Sequence, residues 1–106
     1  SHFAFREMAV EKTVAIALPH TGYVVVKDAV RQKNGGIDFL LPGTAGGFPH
    51  AQVLKAISKG GYDGEVCCEI SSMVWRKKGY DPQAATKTCF RNMKRMFAEA
   101  EIERKP

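Results

Sequence analysis

Near the end of the run from Gly60 to Ile70, in which a glycine turn feeds a short apolar strand, stands one carboxylate, Glu69. Charged side chains are rarely buried without a partner, so a glutamate closing a strand of core type reads as a site residue rather than as packing. A strand-end charge facing solvent is the alternative. His50, in the first turn of a helix, could contact substrate or serve as an acid or base; an ordinary surface residue is the other reading. The loop Gly43-Thr44-Ala45-Gly46-Gly47 just ahead of it could cradle phosphate with backbone amides, or could simply need flexible glycines. No Cys-x-x-Cys or His-x-x-x-His spacing occurs, which leaves no self-contained zinc site.

The elements that must position these groups follow from the apolar pattern. Helix formers without glycine or proline run from about Phe3 to Ala17, with Phe5, Met8, Ala9 and Val14 as a buried stripe, and this helix should stop before Pro19. Gly22 opens a strand over 23–28, whose continuous β-branched run is the pattern of a strand buried on both faces in a parallel sheet. Residues 31–48 form a long glycine-rich connection with a short extended piece at Ile37 to Leu41. A helix over 49–59 starts at Pro49, buries Val53, Leu54 and Ile57, and is capped by Gly60 and Gly61. A second strand spans 65–70. A loop carrying Trp75 precedes a last helix over 82–103, begun by Asp81 as cap and Pro82 as first residue. Its buried stripe is Ala85, Cys89, Met93, Met96, Phe97 and Ala100.

Strands alternating with helices imply right-handed crossovers and a parallel α/β sheet. Two main strands leave both sheet edges open. The chain should therefore self-associate as a homo-oligomer, with Val24 to Val26 or Val66 to Cys68 buried in the interface.

Length and composition set the outer bounds. With 106 residues and 44% hydrophobic content the chain is one globular domain with a modest core. No apolar run reaches the roughly 18 residues that cross a bilayer, and the start lacks the pattern of a signal peptide, so the expected setting is cytoplasmic. Three cysteines, two of them neighbours on one strand, argue for reduced, buried thiols rather than a disulfide framework. The net charge of +5 raises the question of nucleic acid. Its distribution argues against that partner: Arg76, Lys77 and Lys78 sit in one loop, while Lys87, Arg91, Lys94 and Arg95 mark a solvated helix face.

Four segments in order, Tyr23 to Ala29, Leu41 to Pro49, Leu54 to Ile57 and Gly61 to Glu69, resemble the C-terminal part of the sugar-phosphate isomerase/epimerase family, the xylose-isomerase-like TIM barrels. The resemblance covers nearly the whole chain. It implies the C-terminal segment of a TIM (β/α)8 barrel, with two main parallel strands in the seventh and eighth places, three helices, and completion by self-association. It implies a divalent metal, Mn or Mg, and metal-assisted proton transfer next to the carbonyl of a sugar or sugar phosphate. Glu69 matches the family's last metal-binding carboxylate, which also acts as a base in epimerases, and Arg31 matches a substrate-contacting arginine beyond the seventh strand. Val25 stands where the family places a metal-binding histidine on that strand.

In such a barrel, strand alternation puts Tyr23, Val25 and Lys27 on one face and Cys67 and Glu69 on another, both turned to the barrel axis. An ion pair between Lys27 and Glu69 is the expectation, with a solvent-exposed lysine as the alternative. The rival to an isomerase/epimerase is a catalytically inactive barrel fragment acting as a self-associating structural module.

Overall fold

The computed structural model describes residues 6–45 and 47–103. Helix α1 (Val10–Ala17) is shorter at its start than the apolar pattern suggests. Glu7 takes a left-handed φ of 55° and Ala9 lies in the extended region at ψ 133°, so the helical path begins only at Val10. Phe3 and Phe5 lie outside the described residues, and Met8 is exposed. Pro19 ends the helix as expected by drawing Leu18–His20 into a short 3-10 turn.

Strands β1 (Val24–Val26) and β4 (Val66–Cys68) pair in parallel, with Val24 opposite Val66, Val25 opposite Cys67 and Val26 opposite Cys68. The amide of Glu69 continues the ladder by donating to the Val26 carbonyl at 2.9 Å. Helices α2 (His50–Lys59) and α4 (Pro82–Glu99) cover one face of this pair. Val26, Leu54, Ile57, Met96 and Ala100 form the buried core there, with Val24, Val66 and Phe97 packed against it. The other face of the sheet is bare: Tyr23 is 57% exposed and Val25 47%. The β-branched run is therefore buried on one face only. Cys67 shares the bare side and is exposed, a departure from the expectation of buried thiols, whereas Cys89 is buried. Burial, with Cys89 beside it, pushes the Cys68 thiol up to about 12.

The predicted strand over 23–28 breaks at Lys27, and Asp28–Arg31 is a separate strand, β2. It pairs antiparallel with β3 (Ile37–Leu40), Arg31 opposite Ile37 and Asp28 opposite Leu40. The glycine-rich connection is thus largely a hairpin. Its tip is closed by the Gln32 amide on the Gly36 carbonyl at 2.8 Å, with Gly35 at φ 83° where a side chain would be strained.

Helix ends follow the chemistry of the chain. Gly60 closes α2 and Gly61 takes φ 92°. Asp81 Oδ1 accepts the amides of Gln83 and Ala84 at 2.9 and 3.0 Å, and Pro82 opens α4. That helix ends at Glu99 rather than 103, because Glu101 turns to φ 59°. Strand β4 is shorter than 65–70, and Ser71 then caps a one-turn helix, α3 (Ser72–Trp75). No helix among the described residues is long and apolar enough to cross a membrane.

Candidate functional site

The parallel register that pairs Val26 with Cys68 places the next residues, Lys27 and Glu69, side by side at the C-terminal ends of β1 and β4. Their side chains form the expected ion pair, Lys27 Nζ to Glu69 Oε1 at 2.5 Å. The ammonium also sits 4.5 Å from the centre of the Phe39 ring, so β3 of the hairpin shields its other side. Lys27 is 21% exposed and Glu69 45%. At that exposure the pair contributes at most about 1 kcal/mol to folding. Its interest is chemical: a carboxylate open to a ligand, beside a cation fixed in place.

Behind this pair lies a group that the sequence reading passed over. Asp28 is fully buried and accepts three backbone amides: Ala29 on Oδ1 at 2.9 Å, and Thr44 and Ala45 on Oδ2, each at 3.1 Å. The amides proposed as a phosphate cradle are therefore spent on the protein's own carboxylate, and residues 43–45 form a strut rather than an anion site. An aspartate directly after a core strand and ahead of a glycine-rich loop was the available signal. It was hidden by the commonness of a Lys-Asp strand ending.

His50 is buried at 7% exposure, not a surface residue. Its position as the first residue of α2 turns it toward the end of β1, where Nε2 lies 3.4 Å from the Lys27 carbonyl oxygen and the ring meets Phe48 edge-on at 4.5 Å. Burial pushes the imidazole below its ordinary value, while the Asp28 charge works against that shift. Near neutral pH the ring is thus uncharged and able to accept or donate one proton.

Lys27, His50 and Glu69 converge on a cleft of about 360 Å³ between α1, the free edge of β1 and α2. Its walls are apolar, with Val14, Leu18, Val24, Val53 and Leu54 among them. Arg31 is not among the residues lining the cleft. It ends β2, four residues up the hairpin from Lys27, which is roughly 13 Å of extended chain. Trp75 is 48% exposed and packs against the Arg76 guanidinium at 5.1 Å, away from the cleft.

The donor set fits the implied divalent cation poorly. Among the described residues no group of three or more His, Cys, Asp and Glu side chains could hold a metal ion. Glu69 is engaged by an ammonium, Asp28 is saturated by amides, and the residue two before Lys27 on the same strand is Val25, which cannot ligate. What this chain offers is a carboxylate, a cation and a neutral imidazole. Comparison with protein-family models, curated proteins and solved structures finds no match to this chain.

Proposed function

We propose that the chain is the closing segment of a sugar isomerase- or epimerase-like barrel, and that Glu69 moves a proton next to the carbonyl of a sugar or sugar phosphate. The observation that supports this reading is the Lys27–Glu69 pair at the C-terminal ends of two adjacent parallel strands, where barrel enzymes do their chemistry. Glu69, partly open to solvent and held in place by its ion pair with Lys27, takes the proton from the carbon beside the carbonyl. The C–H electron pair becomes the new C–C double bond, and the carbonyl oxygen gains charge as an enediolate. The Lys27 ammonium stabilises that oxygen, and the neutral His50 imidazole, just behind Lys27, can relay a proton to it. Return of a proton to the same carbon from the opposite face gives an epimer; return to the neighbouring carbon, with the hydroxyl proton passed to the first oxygen, gives an isomer. A divalent ion bound by Glu69 would need its remaining ligands from other strands, so no step is assigned to one here.

Incubation of aldoses, ketoses and their phosphates in deuterium oxide tests this directly, with deuterium at the exchanging carbon read by NMR. Exchange should occur with the parent and fall at least about 100-fold in Glu69→Gln. Equal exchange in the two proteins sinks the assignment. A second reading, a non-catalytic module that self-associates, is favoured by the bare sheet face at Tyr23 and Val25 and by the poor metal donor set. It predicts assembly without exchange.

A further inference from the structure

The two-stranded sheet has two unlike free edges, and each runs beside an apolar groove. The β1 edge borders the cleft lined by α1 and α2; the β4 edge borders a second groove of about 320 Å³, where Val66, Cys68 and Ile70 face Cys89, Phe90 and Phe97 of α4. Parallel ladder geometry fixes which backbone groups each edge presents. Because Val26 accepts the Glu69 amide, Val24 and Val26 point their backbone groups at β4, and the amide and carbonyl of Val25 point outward at the free edge. Both edges have the same strand direction, so β4 of one copy can continue the sheet beside β1 of the next.

The surface area calls for such a neighbour. A folded monomer of this mass, 11.7 kDa, exposes about 5,900 Å². This chain exposes 7424 Å², an excess of about 1,500 Å². A standard interface takes about 800 Å² from each partner, so an excess of this size leaves room for such contacts. Charge agrees with the same arrangement. Lys27 follows β1 and Glu69 follows β4 at the same end of the sheet, so a copy adding its β1 beside a neighbour's β4 brings a second ammonium toward Glu69.

We propose that the chain assembles head to tail through its β4 and β1 edges, and that four copies close an eight-stranded parallel barrel with Tyr23, Val25 and Cys67 inside. Contact between unlike edges is heterologous and forms a ring when the rotation closes. Eight strands is the number at which a parallel barrel fills its interior with side chains, and each copy supplies two. This deepens the function proposed above, since Glu69 would then lie between its own Lys27 and a neighbour's; the assembly itself is measured without reference to activity.

Light scattering coupled to size exclusion on the parent should give about 47 kDa, four times 11.7 kDa. Val25→Pro removes the outward amide while leaving the ladder to β4 in place, because proline is tolerated at strand edges and blocks further pairing. That variant should run as a monomer with its helical circular dichroism retained. If it loses the helical signal, Val25→Lys, which places a charge inside the ring without altering the backbone, takes its place and should also run as a monomer. A parent that is monomeric overturns the proposal. So does an isologous dimer of about 23 kDa, an open-ended polymer, or a four-fold mass unchanged in a folded Val25→Pro or Val25→Lys variant.

Discussion

Replacing Asp28 by Asn should cost this chain far more than a strand-end surface charge would. Asp28 is fully buried, and its two oxygens accept three backbone amides. Hydrogen bonds to a charged acceptor contribute about 1.5–3 kcal/mol each, and a buried donor left unmade costs about 1–3 kcal/mol. Asn keeps one acceptor oxygen and turns an NH₂ group toward donors. If it stays on Ala29, the Thr44 and Ala45 amides face another donor, but Thr44 is exposed and Ala45 half-buried, so water can meet them in part. The net loss is then about 2–3 kcal/mol, and about 3–5 kcal/mol for Asp28→Ala, which also leaves the buried Ala29 amide unpaired. For a chain of this length, 2–3 kcal/mol lowers the melting temperature by roughly 10–15 °C. Thermal melting by circular dichroism at pH 7 gives the first reading. A histidine titration by NMR gives the second: the Asp28 charge raises the His50 pKa, so its removal should drive that pKa further down. A melting temperature within about 2 °C of the parent, or a His50 titration that does not fall, would refute the strut argument.

Two further outcomes follow from the same neighbourhood. The His50 pKa lies below its unfolded value, so the unfolded chain binds more protons as acid is added; stability is full above the ordinary histidine value and is lost as pH falls through the depressed one. Chemical denaturation between pH 7 and pH 5 should show that decline, and His50→Gln should flatten it; parallel curves for the two proteins would remove His50 as the cause. Gly43→Ala should destabilise by about 1–3 kcal/mol, since Gly43 sits at φ 77° and an added Cβ would lie 2.9 Å from the Asn92 Cβ. A urea midpoint equal to that of the parent would show that the loop yields.

What could be read from the chain was what depends on period and on local caps. Alternation along two short strands was enough to bring Lys27 to Glu69, because the register that pairs Val26 with Cys68 sets the next residues of the two strands side by side. Asp81 with Pro82, and Gly60 with Gly61, set the helix ends by chemistry contained within a few residues. The hairpin was missed although Asn34-Gly35 lies at its tip, because a glycine-rich stretch offers turn signals to several structures at once. Asp28 and His50 were undervalued for a different reason. Their burial is decided by residues 16 and 23 positions away, Thr44 and the Lys27 carbonyl, and no local pattern carries that information. Arg31 entered through resemblance alone; it ends β2 and is not among the residues lining the cleft.

On α4 the outward residues divide into two kinds. Asn92 donates to the Pro42 carbonyl at 2.8 Å and Arg95 to the Gly43 carbonyl at 2.7 Å, and the next two residues of that loop hold Asp28. From the C-terminal helix to the end of β1 there is thus an unbroken relay of polar contacts, running over the outside of the core rather than through it. Lys87 and Lys94, on the same helix, have no place in that relay. Mutational tolerance along α4 should therefore be uneven in a way that solvent exposure does not forecast: a change at Arg95 is transmitted to the strand end bearing Lys27, while a change of equal chemistry one residue earlier stops at the surface.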